Sequence, residues 1–176
     1  VVSLNKSVQT LIDRIIFLRI AEARGLEAFG DLQKAATNED PGVYGRLMRL
    51  FLRADNRYNS GLFHFHRSKE QHGAPDVSSV DLVVSDRPLR NIISRLYHPH
   101  PYEFSVMPAD ILGRVYEQFL GETITLSSHK ASIEEKPEVR KAGGVYYTPV
   151  PIVEYIVEST IGPLVHGATP SDVQKL

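Results

Sequence analysis

Apolar residues recur at helical rather than strand spacing in five separate stretches of this 176-residue chain, and prolines, glycines or polar clusters bound each one. Leu4, Val8, Leu11, Ile12 and Ile15 share one face, and Gly25 is placed to stop that helix. Val43, Leu47, Leu50, Phe51 and Ala54 mark a second helix ahead of the turn-rich Asn56 to Gly61. Asp86 and Pro88 open a third, carrying Leu89, Ile92, Ile93 and Leu96. His98-Pro99-His100-Pro101 breaks it, since proline lacks a donor and biases the residue before it away from helix. Pro108 and Asp110 begin a fourth, with Ile111, Leu112, Val115, Tyr116, Phe119 and Leu120 inward and Gly121 at its end. Thr148-Pro149 begins a fifth, whose apolar face Ile152, Val153, Ile156 and Val157 runs until Gly162-Pro163 stops it. The spacing predicts helices over 4–24, 43–55, 87–97, 109–120 and 149–161. Residues 72–85 read as loop with at most an extended piece over 80–84, Glu122 to Leu126 as a short strand, and Ser127 to Lys141 as a mobile polar linker. The chain is therefore expected to be mainly α, and it contains no internal repeat.

With 42% hydrophobic residues the chain can bury a core, and with no cysteine it can form neither a disulfide nor a thiolate metal site. Its longest apolar run, Ile15-Ile16-Phe17-Leu18, is cut by Arg19, far short of a membrane span. Val1-Val2-Ser3 runs straight into a helical pattern with no initiator Met and no leader, so the chain is read as part of a larger soluble, intracellular protein. A net charge of −1 excludes a generally basic surface.

The chemistry-bearing candidate is Gly144-Val145-Tyr146-Tyr147-Thr148-Pro149. Thr148 suits an N-cap because its hydroxyl can accept from an orphaned amide, and Pro149 suits the first helical position because its φ is preset. Such a helix N-terminus, with free N–H groups and a partial positive charge, is a ready site for a carboxylate or phosphate. Tyr146 and Tyr147 would form a stacking wall beside it. Arg46, Arg49, Arg53 and Arg57, spaced 3, 4 and 4 apart, would make a basic stripe on one helix, able to meet DNA phosphates or merely to solvate a face. Lys136, Arg140 and Lys141 stand in the same position. His64-x-His66 and His98-x-His100 could offer four nitrogens to a metal, but no acidic partner lies at ligand spacing, so no metal site is assigned. Glu134-Glu135-Lys136 contains half of a PD-(D/E)xK nuclease signature with Asp110 upstream. Its context, a helix start and a polar linker, lacks the rigid adjacent strands that such a site needs.

The segment 144–149 resembles the S-adenosyl-L-methionine (AdoMet)-binding motif X of the γ-type adenine-N6 DNA methyltransferases, in particular those within type IIG restriction-modification enzymes of the Eco57I-like kind. Leu4-Asn5-Lys6-Ser7 through Ala23-Arg24-Gly25 is similar to the opening helix of the helical segment preceding the methyltransferase domain in those proteins. Tyr58-Asn59-Ser60-Gly61-Leu62-Phe63 and Ile111-Leu112-Gly113-Arg114-Val115-Tyr116-Glu117-Gln118-Phe119-Leu120-Gly121 resemble two further blocks, in the same order. The resemblance implies a bundle-like helical connector over 1–142, then over 143–176 the first motif and helix of an α/β methyltransferase domain. It implies a bacterial or archaeal cytoplasmic enzyme that moves a methyl group from AdoMet to adenine N6 in DNA, with a nuclease expected upstream in the same polypeptide. By the same resemblance Tyr146 and Thr148 contact the methionine part of AdoMet, and Tyr147 and Pro149 shape the pocket. The Gly-rich AdoMet loop and the catalytic Asn-Pro-Pro-Tyr are expected beyond Leu176, so no catalytic residue falls within the chain and it is expected to be inactive alone. The other reading is a non-catalytic connector that fixes nuclease against methyltransferase or touches DNA backbone. The sequence does not specify an oligomeric state.

Overall fold

The structure, a computed structural model, describes residues 2–37, 42–58, 60–66, 74–100, 102–108, 111–113, 115, 121–128, 130–136 and 148–169. It is mainly α, as expected. In chain order the elements are α1 (Val2–Ala23), α2 (Asp31–Thr37), α3 (Val43–Tyr58), α4 (Asp86–Ser94), the strands β1 (Glu122–Leu126) and β2 (Ala131–Glu135), and α5 (Val150–Val165). They fall into two compact units, Val1–Met107 and Pro108–Leu176. The expected domain boundary at 142/143 lies outside the described residues. Of the helix expected over 109–120, residues 111–113 are helical and most of the rest lies outside them. Among the described residues no helix is long and apolar enough to cross a membrane.

In the first unit, α1 ends as its glycine predicts. Gly25 has φ +71°, the Leu26 amide donates to the Ala21 carbonyl (2.8 Å) and the Gly25 amide to that of Glu22 (3.1 Å), which is a Schellman closure. Of the face expected for α1, Ile15 is buried and Leu11 packs against the core, while the N-terminal end of that face is not buried. Leu4 is 40% exposed, and the core begins at Ile15, Leu18 and Ala21, with Leu11 and Phe17 packed against it. Beside that face α1 also buries Arg14, Arg19 and Glu22, charges that an apolar-face reading does not predict to be buried.

Arg14 is 2% exposed. Its Nε donates to the Leu62 carbonyl (2.9 Å), its Nη2 meets Asp76 Oδ2 at 2.8 Å, and its guanidinium lies 4.5 Å from the Phe65 ring centre, with Phe51 and Phe63 also within cation–π range. Arg19 repeats the arrangement, with Nε on the Leu96 carbonyl (2.9 Å) and the rings of Tyr97, Phe104 and Phe29 around it. Glu22 accepts from the Gly30 and Leu32 amides (3.1 and 2.8 Å) and from the Tyr97 hydroxyl (2.6 Å). It thereby caps α2, a seven-residue helix that the sequence reading missed. Burial of Tyr97 first, and then its bond to Glu22, push its hydroxyl far above the usual tyrosine range.

Two further helix ends are closed the same way, by residues distant in sequence. Asp86 accepts from the Val43 and Gly42 amides (2.9 and 3.0 Å) and so caps α3. Arg46 Nε and Arg90 Nη1 cap the far end of α2 through the Ala35 and Ala36 carbonyls (2.8 and 2.7 Å). Val43, Leu47, Phe51 and Ala54 on α3 pack with Leu89 and Ile93 of α4 and with Phe63 in one core.

In the second unit, residues read as mobile linker form β2, antiparallel to β1 with Ile124 opposite Ile133. The strand was missed because its pattern is polar on both faces, with Ile133 69% exposed, and the pairing, not burial, defines it. Nor does Gly162-Pro163 stop α5. The His166 amide still donates to the Gly162 carbonyl (3.0 Å), and the helix ends only before Gly167, at φ +76°. Pro163 is tolerated there because less than one turn follows it, so the distortion it imposes is not propagated.

The Arg14 site generates two expectations. Asp76→Ala leaves a buried guanidinium without its carboxylate and should cost about 3–5 kcal/mol in urea unfolding, whereas Arg14→Met in the same background recovers most of that loss. Burial alone would raise the Asp76 carboxyl, but bonds from the Ser79 and Ser78 hydroxyls, Arg14 and the Ser79 amide outweigh it and hold the group at about 2, below its ordinary 3.8. A carboxyl depressed on folding stabilises above its unfolded value and loses that contribution as pH falls through the folded one. Thermal melts should therefore lose stability between pH 4 and pH 2, less steeply in Asp76→Asn.

Candidate functional site

Of the four residues expected at the cofactor, Tyr146 and Tyr147 lie outside the described residues. Thr148 and Pro149 are exposed and lead directly into α5. The cap differs from the expected one by one residue. Pro149, not Thr148, is the N-cap, with φ −57° and ψ 141°, and no side chain closes the helix. Its extended ψ keeps Pro149 out of the helix, and Pro151 supplies the preset φ in the first turn instead.

The amides available there are correspondingly few. Pro151 has no N–H, and the Ile152 and Val153 amides both donate to the Pro149 carbonyl (2.9 and 3.2 Å), which leaves the Val150 N–H to face a ligand. Beyond this end, the apolar side chains of α5 are exposed around the whole helix, from Val150 and Ile152 to Ile161 and Leu164. Only the side of Glu154 and Glu158 is charged, and a helix this apolar elsewhere belongs to a largely buried setting.

The α3 arginines do share one helix, yet most are engaged within the first unit. Arg53 Nη2 meets Asp31 Oδ2 at 2.8 Å, and Arg57 Nη1 lies 3.4 Å from Glu27 Oε1. The hydrogen bond from Arg53 chiefly holds the Asp31 carboxyl below its usual range. Arg46 serves the end of α2, and Arg49 reaches only the Gly45 carbonyl of its own helix (3.5 Å). A phosphate approaching this stripe at Arg53 or Arg57 must displace a carboxylate.

His64 is buried with Nε2 unpartnered, while His66, His98 and His100 are exposed. Among the described residues no three His, Asp or Glu are grouped as a metal site. Glu134 stands on β2 rather than in a linker and accepts from the Thr125 hydroxyl (2.9 Å), and Asp110 lies outside the described residues. The functional reading of the sequence also passed over Asp76 and Asp86, which stand in loop-like or helix-opening contexts. The one available signal was at Arg14, a charge four residues before Leu18 inside an apolar run.

The chain is 33% identical over 162 residues to the type II restriction enzyme and methyltransferase RM.Eco57I of Escherichia coli. That alignment takes in 90% of this chain and 15% of the relative, so the chain spans under a sixth of that protein's length. The resemblance carried by the four ordered blocks is thus borne out along nearly the whole chain. No family model matches it, and no solved structure does.

Because no side chain caps α5, Thr148→Ala should leave helicity and thermal midpoint essentially unchanged, where loss of a true threonine cap would cost about 0.5–2 kcal/mol. Circular dichroism of the two chains decides between a capping Thr148 and one available to a ligand.

Proposed function

We propose that this chain is part of a DNA-modifying enzyme that transfers a methyl group from AdoMet to adenine N6, in a polypeptide that also carries a nuclease. The carrying observation is the 33% identity over 90% of the chain to a restriction enzyme and methyltransferase. Residues 143–176 are the motif X edge of the methyltransferase domain, and residues 1–142 are its helical connector. The working context is the bacterial or archaeal cytoplasm, and the partner is DNA.

Bound AdoMet supplies an electrophilic sulfonium methyl. Such a transfer needs the adenine turned out of the duplex and its nitrogen held in line with that methyl. The groups doing so belong to the catalytic Asn-Pro-Pro-Tyr, which this chain lacks, so no catalytic residue is assigned within it. Its own part is one wall of the cofactor pocket. Thr148, whose hydroxyl is not used as a cap, and the Val150 N–H suit the methionine carboxylate, and by the resemblance Tyr146 also contacts the methionine part while Tyr147 and Pro149 shape the pocket. The exposed apolar surface of α5 suits a helix completed by the rest of such a domain. The alternative, a purely non-catalytic connector, is favoured by a different observation: the unit Val1–Met107 has a closed core of its own.

A one-walled pocket cannot exclude water from its ligand, so the 176-residue chain should bind AdoMet weakly in calorimetric titration. Thr148→Ala in the complete enzyme should raise the AdoMet dissociation constant with little change in DNA affinity at fixed salt. Tight binding by the short chain, or an unchanged constant in the mutant, would remove Thr148 from the cofactor site. Nucleoside analysis of DNA treated with the complete enzyme and AdoMet should yield N6-methyladenine, and finding only N4-methylcytosine would overturn the adenine assignment.

A further inference from the structure

Between α2 and α4 the first unit carries an open groove of about 980 Å³. Three side chains on its walls have hydrogen-bond donors and no partner among the described residues: Gln33 from α2, and Arg87 and Asn91 from α4. Arg87 and Asn91 stand four residues apart, one turn of the same helix face. Among the described residues the single carboxylate in the lining is Asp86, and both of its oxygens are committed, Oδ1 to the Val43 amide and Oδ2 to the Gly42 amide, with Arg90 Nη2 3.6 Å away. Among the described residues the groove therefore presents a free guanidinium and two free amide groups, and the negative charge of Asp86 is turned inward to cap α3.

That inventory is the opposite of the α3 stripe, where Asp31 and Glu27 already neutralise Arg53 and Arg57. Arginine, asparagine and glutamine are among the side chains that hold phosphate oxygens in protein–DNA complexes, where they position the protein without reading sequence. A neutral peptide would leave the Arg87 charge uncompensated, whereas a polyanion matches it and accepts from both amides. We propose that the α2/α4 groove, through Arg87, Asn91 and Gln33, docks the phosphodiester backbone of duplex DNA. This rests on the DNA-modifying reading above and adds where, in the helical unit, the duplex is held.

The test is fluorescence anisotropy of a labelled duplex titrated with the 176-residue chain across a salt series. Arg87→Glu should weaken binding about tenfold or more and lower the slope of log affinity against log salt by about one, as expected for one lost phosphate contact. Asn91→Asp should weaken it in the same direction. Lys6→Glu, an equal charge change on exposed α1 sequence, should remain within about twofold of the parent chain if the groove and not overall charge is responsible. Arg87 and Asn91 are exposed, so helicity should be unchanged. Should Arg87→Glu lose helicity, Arg87→Gln replaces it, with a smaller loss of the same sign expected. Equal losses for Arg87→Glu and Lys6→Glu, no loss in Arg87→Glu, or displacement of DNA by polyglutamate as effectively as by unlabelled duplex would each overturn the groove assignment. Absence of duplex binding by the parent chain would also overturn it, while the methylation reading would still stand or fall on the nucleosides formed by the complete enzyme.

Discussion

A guanidinium with no route to water sits at the centre of the first unit, and the surrounding chain has to satisfy it. Burying an isolated charge is prohibitive unless it is paired and hydrogen-bonded. Arg14 therefore draws in the Leu62 carbonyl, Asp76 and the faces of three phenylalanines, and in doing so fixes the loops around residues 62–65 and 76–79 against α1. Removing either partner is costly even where the pair as a whole adds little, because the cost is that of the orphaned charge.

The same logic accounts for three of the helix ends, both ends of α2 and the start of α3. Carboxylates and guanidiniums from distant positions close them: Glu22 for α2, Asp86 for α3, Arg46 and Arg90 for the last carbonyls of α2. Each such closure couples two helices, since the capping group belongs to one and the orphaned backbone to another. The α2/α4 groove is a by-product: Asp86 turns its charge towards α3, and the groove keeps an unopposed Arg87.

These closures also decide what could be read from sequence. α1, α3, α4 and α5 were legible because their apolar residues recur every three to four positions, and Gly25 announced a stop that the backbone confirms. α2 was not, being seven residues long and capped by a glutamate eight to ten positions earlier. β2 was not, because strand pairing leaves no apolar alternation when both faces are wet. At the segment proposed to face AdoMet the location of the helix start was legible to within two residues, but the choice of capping residue there was not. Thr148 and Pro149 fit two adjacent registers equally well, and only the backbone angles choose. On α1 the apolar positions Leu11 and Ile15 were legible, but the burial of Arg14, Arg19 and Glu22 was not, since an apolar period carries no mark of a buried charge.

The first unit thus closes its own core, while α5 exposes apolar side chains over most of its surface. Amide hydrogen exchange followed by mass spectrometry on the 176-residue chain measures that difference directly. Protection should be highest in α3 and in α1 from Arg14 to Glu22, opening only with the loss of the buried arginine's partners, and low along α5. Slow exchange along α5 equal to that of α3, or rapid exchange around Arg14, would contradict a unit organised by its buried charge.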